Sequence, residues 1–313
     1  MPAAAQLITF VDDDGAQCSG AVRTIQEAVA LAPAGATILV CPGTYQKTVL
    51  INGHAKDAIK LIAVGHAGQV VLQGDHTEVN GFHLEDVDGV LLSGFTVRDF
   101  GMGPTVTLAN GMVSAGMGNG ILLVNANYNT IENNRIFRTD MMGIYLVNSA
   151  NNTVRYNVTF DNDTGGSACG IMLAGRMAGR NIIFQNVAYG NGLAGLMIAD
   201  SGTGNLVVDN DFRGNGRWGI ENRNTDDTWI EGNRVSYSSG HVGELAKAPM
   251  PAFCPAQPCG LGLHIRGSNN VTVFDNHIRN NPNLDVLWDG NGQIRFEANF
   301  CETSNREGFC RRQ

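Results

Sequence analysis

Two segments of the chain combine a carboxylate, an imidazole and two guanidinium groups at equal spacing. GIENRN places Glu221 two residues before Arg223, and GLHIRG places His264 two residues before Arg266. A carboxylate and an imidazole suit general acid–base catalysis, since the imidazole titrates near neutral pH. Guanidinium groups bind carboxylates and stabilise enolate-like intermediates. The sequence therefore predicts these four as catalytic residues, with a structural ladder of salt bridges between strands as the alternative.

Four earlier segments carry apolar residues in the positions that hold these charges. They read GILLVN, GIYLVN, GIMLAG and GLMIAD. In a strand with alternating sides, the two flanking apolar residues point to the core and the residue between them points outward. An apolar strip that ends in a mixed-charge patch predicts the floor of a substrate cleft. The predicted substrate-binding residues are Leu122, Tyr145, Met172 and Met197.

These segments belong to an internal repeat that is marked by a single asparagine. Seven asparagines follow short apolar runs, at spacings of 23, 29, 24, 23, 43 and 23 residues. They are Asn134, Asn157, Asn186, Asn210, Asn233, Asn276 and Asn299. A period of this length predicts a solenoid, and the short Ile, Val, Leu and Phe runs leave no room for a long helix in any unit. We predict three short parallel strands per turn, with the asparagines buried and hydrogen-bonded between turns.

The repeat resembles the right-handed parallel β-helix of the pectate-lyase-like superfamily, including NosD-like and CASH-type (carbohydrate-binding and sugar-hydrolysis) repeats. The resemblance implies an all-β, single-stranded solenoid of roughly 10 coils. TIQEAVALAPAGATILVCPGTY resembles the start of such proteins, and Thr24 with Glu27 forms a capping box that predicts an amphipathic capping helix. The predicted units are 1–36 (strand and capping helix), 37–300 (solenoid) and 301–313 (disulfide-closed cap).

Two insertions interrupt the repeat, near 101–118 and near 240–259. Each lies between an asparagine-bearing strand and the next strand that begins with glycine, so both leave the solenoid at the same corner. Because insertions in repeat proteins become loops on one face, we predict that these two wall a cleft. Before the first insertion, GFHLED presents His83 and Glu85 in the same outward positions as the predicted catalytic residues.

Six of the seven cysteines fall into pairs that are close in sequence. The predicted disulfides are Cys18–Cys41, Cys254–Cys259 and Cys301–Cys310. Their spacings do not match zinc sites, so the pairs favour an oxidising compartment. We expect a secreted protein whose signal peptide is not part of this sequence. Cys169 is left over, and its glycine and alanine neighbours predict a buried, inert thiol.

Composition narrows the possible ligands. A net charge of −8 argues against nucleic acid, and no apolar run approaches the ~18 residues of a membrane span. Calcium is weakly supported, because Glu221 is the one carboxylate on the predicted floor and Ca²⁺ takes about six or more oxygen ligands. A copper site of methionine and histidine is disfavoured by the lack of a tight cluster of either residue. We expect no cofactor, and a saccharide or another small molecule as the partner.

The residues therefore predict an extracellular carbohydrate-active enzyme, a metal-independent acid–base lyase or epimerase of a uronic-acid-type saccharide. NTDD resembles a motif of polygalacturonase-like hydrolases, but its order is wrong and the RxK motif is missing, which disfavours hydrolysis. Two alternatives stay open. One is an isomerase or cyclase of a smaller, more apolar organic acid in the methionine-rich cleft. The other is a non-catalytic structural or ligand-binding β-helix.

Overall fold

Each turn of the chain adds one strand to each of three parallel sheets. A computed structural model describes residues 7–19, 21–101, 106–107, 113–114, 118–162, 166–238 and 259–311. Sheet 1 comprises β1 (Ile8–Val11), β2 (Thr37–Val40), β5 (Lys60–Ala63), β8 (Leu91–Ser93), β13 (Thr130–Glu132), β16 (Thr153–Arg155), β19 (Ile182–Phe184), β22 (Leu206–Val208), β25 (Trp229–Glu231), β28 (Val271–Phe274) and β31 (Ile294–Glu297).

The other two large sheets complete each coil. Sheet 2 comprises β4 (Val49–Asn52), β7 (Asn80–Glu85), β12 (Asn119–Val124), β15 (Ile144–Val147), β18 (Cys169–Ala174), β21 (Ala194–Ala199), β24 (Trp218–Arg223), β27 (Leu261–Arg266) and β30 (Leu284–Trp288). Sheet 3 comprises β3 (Gly43–Gln46), β6 (Val70–Gln73), β9 (Thr96–Arg98), β14 (Arg135–Phe137), β17 (Val158–Phe160), β20 (Val187–Tyr189), β23 (Asp211–Arg213), β26 (Arg234–Ser236), β29 (His277–Arg279) and β32 (Phe300–Cys301). The predicted right-handed parallel β-helix is confirmed.

Alternate side chains of the strands fill one continuous core. Neighbouring strands stay in register, so each core side chain stacks on its equivalent in the next coil, as Ile131, Val154 and Ile183 do on sheet 1. All three are fully buried, and burial of an Ile or Val side chain contributes about 1.5–3 kcal/mol. The β-branched side chains suit this crowded, pleated surface.

Asparagine side chains connect the coils in three ladders. In the predicted ladder from Asn134 to Asn299, each Nδ2 donates to the Oδ1 of the next asparagine over 2.9–3.1 Å, which confirms the prediction. Two further ladders run from Asn129 to Asn205 and from Asn162 to Asn215, at the other two corners. The buried amides are satisfied because each coil supplies the partner of its neighbour.

Helix α1 (Ile25–Leu31) lies before the first complete coil. The Thr24 hydroxyl accepts a hydrogen bond from the Glu27 amide, and Ile25, Ala28 and Val29 are buried in the main core. A 3-10 helix spans His54–Lys56. Neither of these two helices of the described ranges is long and apolar enough to span a membrane.

Connections from sheet 3 to sheet 2 carry the insertions. One runs from β9 to β12 and includes the antiparallel pair β10 (Val106–Thr107) and β11 (Val113–Ser114). The other runs from β26 to β27. Both therefore join a strand of sheet 3 to the next strand of sheet 2. Most of 101–118 and all but the last residue of 240–259 lie outside the described residues, so the cleft that they are predicted to wall stays a prediction.

Candidate functional site

The outward side chains of sheet 2 form two rows along the solenoid axis. Strand register aligns the first row as His83, Leu122, Tyr145, Met172, Met197, Glu221, His264 and Leu287. It aligns the second row as Glu85, Val124, Val147, Ala174, Ala199, Arg223 and Arg266. The four predicted catalytic residues are thus neighbours on two adjacent strands, and the four predicted substrate-binding residues precede them in the first row.

Much of this outer surface is buried, in contrast to the predicted open floor. Leu122, Met197 and Glu221 are 2%, 5% and 0% exposed although they point away from the solenoid core. The alternation of a strand fixes the direction in which a side chain points but not what covers it. Solvent reaches the site at the second row, where the side chains of Arg223 and Arg266 are 31% and 24% exposed.

Glu221 is a fully buried carboxylate with two different oxygens. Oε1 accepts a hydrogen bond from Arg266 Nε over 2.9 Å and lies 3.4 Å from His264 Nδ1. Oε2 has no hydrogen-bond partner among the described residues. A buried carboxylate oxygen without a donor is costly in a structure that serves stability alone. Oε2 is therefore the acceptor that a ligand or a transferred proton can occupy.

The two arginines have different partners. Arg266 is paired with Glu221 on the adjacent strand, an ion pair of the kind that the alternative of a structural salt-bridge ladder predicts. Its catalytic role stays a prediction. Arg223 makes one long contact, 3.5 Å from its Nη2 to Asp200 Oδ2, and its buried Nε has no acceptor among the described residues. Arg223 is thus the guanidinium that remains available for an anionic group at the edge of the site.

His264 lies between an indole ring and two carboxylates. Its ring is 5.9 Å from the ring of Trp218, and its Nδ1 faces Glu221 without a hydrogen bond to any described residue. Burial acts to raise the pKa of Asp289, but hydrogen bonds from Asn291 and Gly267 and the attraction of His264 outweigh it and lower that pKa. Asp289 therefore carries a negative charge near the imidazole.

Sulfur-bearing side chains gather in the coils before Glu221. Met142, Cys169 and Met197 are buried in one cluster, with Met172 packed against it. Met142 Sδ accepts a hydrogen bond from the Cys169 amide over 3.2 Å. Tyr145 packs on the same cluster, and burial raises the pKa of its hydroxyl. Thioethers and a thiol are soft donors of the kind that Cu(I) prefers. Packing thus brings together sulfur-bearing residues that are not close in the sequence.

Hard metals have less support. The described residues bring three acidic side chains together at Asp12, Asp13 and Asp14. Asp12 accepts hydrogen bonds from the amides of Gly15, Gln17 and Cys18, so both of its oxygens are already used by the backbone. The predicted weak support for calcium is unchanged by this arrangement.

His83 and Glu85 form a second polar pair in the two rows, five coils before Glu221. His83 Nε2 is 3.9 Å from Glu85 Oε2, and Asn52 Nδ2 donates to the same oxygen. Burial lowers the pKa of His83 to about 4. The imidazole is therefore neutral at physiological pH.

Disulfides Cys18–Cys41 and Cys301–Cys310 are present as predicted. Cys254 lies outside the described residues, and its predicted partner Cys259 is buried and disulfide-bonded. Cys169 is buried and is not part of a disulfide. Two disulfides at the ends of the solenoid fit a compartment outside the cytoplasm.

Sheet 3 carries a surface that the sequence predictions did not include. Phe137, Phe160 and Tyr189 stack on its outer face, with ring centroids 4.7 and 5.0 Å apart. Arg135 lies over Phe160, 4.4 Å from the ring centroid. The repeat itself could have predicted this surface, because Arg135 lies one residue after a ladder asparagine and the three aromatic residues each lie three residues after one.

Comparisons with known proteins agree with the fold. The model of the family described as periplasmic copper-binding protein (NosD) matches residues 44–229 and 158–306. The A-module of the mannuronan C-5 epimerase AlgE4 from Azotobacter vinelandii is 18% identical, with a TM-score of 0.61, over 95% of this chain and 89% of that one. A search of curated protein sequences found no match.

Two polysaccharide lyases have the same architecture. The alginate lyase from Paenibacillus sp. str. FPU-7 is 17% identical, with a TM-score of 0.60, over 90% of this chain and 96% of that one. The pectate lyase Pel9A is 15% identical, with a TM-score of 0.59, over 97% and 79% of the two chains. At these identities the likeness establishes the fold alone.

Proposed function

The chain belongs to the NosD family of β-helix proteins, and from that premise we propose that it is an exported carbohydrate-active enzyme of the acid–base type. Its substrate is a uronic-acid-type saccharide, and its reaction is elimination or epimerisation at the carbon next to the carboxylate. Solved structures of the same architecture include an epimerase of mannuronan and lyases of alginate and pectate, which supports this substrate class. We propose the periplasm or the cell exterior as its location.

The observation that carries the proposal is the unpaired oxygen of Glu221. Oε2 is buried and has no donor among the described residues, while Arg266 holds the other oxygen in place over 2.9 Å. A carboxylate fixed in this way is oriented before the substrate arrives, and few nearby waters compete for it. Glu221 Oε2 is thus suited to take the proton from the carbon next to the substrate carboxylate.

Two neighbours complete the chemistry. Arg223 meets the substrate carboxylate at the solvent-exposed edge and stabilises the enolate-like charge that develops when the proton leaves. His264 Nδ1, 3.4 Å from Glu221 Oε1, exchanges a proton with the carboxylate after the transfer. In elimination the carbanion electrons form the C4–C5 double bond, the C4–O bond breaks with its electrons on the leaving oxygen, and that oxygen takes a proton from water. In epimerisation water at the exposed edge returns a proton to the opposite face of the same carbon.

Two readouts together test the proton transfer whichever product forms. Uronate oligomers from alginate and from pectate are incubated with the protein in D₂O, and deuterium at C5, measured by mass spectrometry, reports epimerisation. Elimination leaves no hydrogen at C5 and is followed instead by the ultraviolet absorbance of the new C4–C5 double bond. We expect Glu221→Gln and His264→Gln each to lower the rate that the wild type shows by about 10²- to 10⁴-fold.

Glu307→Gln is the matched control, because Glu307 is an exposed carboxylate. It should exchange deuterium at the wild-type rate. Exchange by Glu221→Gln at the wild-type rate contradicts the catalytic role of Glu221. If deuterium enters a small apolar carboxylic acid but neither oligomer, the substrate is the smaller organic acid and not the saccharide. Neither exchange nor new ultraviolet absorbance with any of these acids leaves a non-catalytic, ligand-binding β-helix.

Copper binding is a second candidate function, favoured by the sulfur cluster and by the description of the family. Met142, Met172 and Met197 would hold Cu(I) through their thioethers, with the Cys169 thiol beside them. Bound there, copper would be carried in a soft, largely buried site. The chain's own contribution is to shield these donors from water and to hold them on three adjacent coils.

Competition with a chromogenic Cu(I) chelator tests this candidate. Met172→Leu combined with Met197→Leu keeps the apolar volume and removes two sulfurs. We expect this double variant to lose at least about tenfold in Cu(I) affinity, since each of its two substitutions removes a soft ligand. Met177→Leu is the control, because Met177 is 70% exposed. Cu(I) affinity equal to that of the wild type in the double variant would rule the cluster out.

A further inference from the structure

The outer face of sheet 3 is positively charged in a protein whose net charge is −8. Strand register places five arginines and one aspartate in its two outward rows: Arg98, Arg135, Arg213, Arg234, Arg279 and Asp211. His277 stands in the same row as Arg234. We call this surface the arginine face. Its excess of positive charge is concentrated on one side of the solenoid.

Most of these charges are not neutralised by the protein. Arg135, Arg234 and Arg279 are exposed and form no ion pair with any residue that the structure describes. Asp211 pairs with Arg213 over 3.1 Å and is the only acidic side chain of the two rows. The fold thus presents three guanidinium groups on one face without counterions from the described residues. Arg234 and Arg279 lie on adjacent strands, and Arg135 lies four coils before Arg234.

Sheet 1 shows that this imbalance is not a general property of the solenoid. Its outward arginines each have a glutamate partner, Arg155 with Glu132 over 2.6 Å and Arg295 with Glu297 over 2.8 Å. The two sheets have the same backbone and the same spacing between coils. The difference in pairing therefore points to a ligand on sheet 3 that supplies the missing negative charge.

The shape of the arginine face suits an extended chain. Residues Arg213, Arg234, Tyr237 and Arg279 line a groove of about 500 Å³. The aromatic stack of Phe137, Phe160 and Tyr189 continues the surface along the axis. Successive coils are about 4.8 Å apart, so cationic and aromatic groups recur at a spacing close to the length of one pyranose unit.

We propose that the arginine face binds a polyuronate chain lying along the solenoid axis, outside the Glu221 site. The arginines pair with the carboxylates, and the edges of the aromatic rings and Tyr237 contact the sugar C–H groups. The proposal rests on the proposed function for its choice of polyuronate among polyanions. Binding itself does not require turnover, so this surface retains the polymer whether or not Glu221 acts on it.

Binding is measured in the Glu221→Gln background, which separates this proposal from the catalytic one. The probes are size-fractionated oligomers of polygalacturonate and alginate, neutral dextran and single-stranded DNA, at low and high salt. The test variant combines Arg135→Gln, Arg234→Gln and Arg279→Gln. We expect about a 10- to 100-fold loss of affinity for the uronate oligomers at low salt, and a weaker salt dependence.

Two controls keep the result interpretable. Arg155→Gln with Arg295→Gln removes two arginines of sheet 1 that already have partners, and should leave affinity unchanged. Asp211→Asn removes the one acidic side chain of the face and should tighten binding, an effect that loss of folding cannot produce. The proposal is overturned if the triple variant binds as the wild type does, if Asp211→Asn does not tighten binding, or if DNA binds more tightly than the uronates.

Discussion

Removing Arg266 isolates the energetic role of the buried carboxylate. Arg266 Nε supplies the one hydrogen bond that Glu221 receives from the described side chains, over 2.9 Å, and Glu221 is fully buried. Breaking a buried ion pair by deleting one partner costs about 3–5 kcal/mol, because the remaining charge is left uncompensated. Since Arg266 is about one quarter exposed, we expect Arg266→Met to lower the free energy of unfolding by about 3 kcal/mol.

The double variant separates an unpaired charge from lost packing. In Glu221→Gln with Arg266→Met no charge is left buried, so the loss should shrink to about 1 kcal/mol. The second substitution therefore recovers about 2 kcal/mol of the first loss, and the coupling energy is this recovery plus the cost of Glu221→Gln alone. Urea unfolding followed by circular dichroism, with the disulfides oxidised, measures all four proteins. The reasoning fails if Arg266→Met unfolds at the wild-type midpoint, or if the double variant is no more stable than Arg266→Met.

Two further predictions concern the scaffold. Asn210→Ala should lower the unfolding free energy by about 3 kcal/mol, because the buried Asn186 amide and the Ile183 carbonyl lose their partners. As a control, Thr272→Ala at a half-buried position should change the unfolding free energy by less than about 0.5 kcal/mol. Equal losses for the two variants in urea unfolding would contradict the stabilising role of the ladder. Burial holds His83 neutral down to about pH 4, whereas the unfolded chain protonates it near pH 6.5. The free energy of unfolding should therefore fall by up to ~3 kcal/mol as pH drops from about 6.5 to 4. In His83→Leu, the melting temperature measured by thermal unfolding should depend less on pH over that range. An unchanged pH dependence would contradict the burial argument.

The architecture could be predicted from sequence because its determinants are local and repeated. One asparagine per coil defines the period, and alternation within strands predicts that Glu221 lies beside His264. The ladders of Asn129 and Asn162 were not predicted, because those asparagines do not follow the apolar run that marks the first ladder. They serve other corners of the same coil and repeat with the same period.

The site was less predictable than the fold. Register shows that Glu221 has two arginines nearby, but the choice of Arg266 as its partner depends on side-chain rotamers. Burial of Met197 and Leu122 depends on cover that alternation does not specify. The sulfur cluster arises because Met142 and Cys169 occupy equivalent positions of consecutive coils, a relation that spacing in the sequence obscures through loops of unequal length.

The direction of the asparagine ladders has a consequence for how such a chain can change in evolution. Every amide in a ladder donates toward the next coil and accepts from the previous one, as Asn186 does between Asn157 and Asn210. A duplicated or deleted coil therefore meets the same donor and acceptor on either side, and the solenoid can lengthen or shorten by whole coils. The sheet 3–sheet 2 corner varies separately, so new chemistry can be acquired there without changing the units that hold the molecule together.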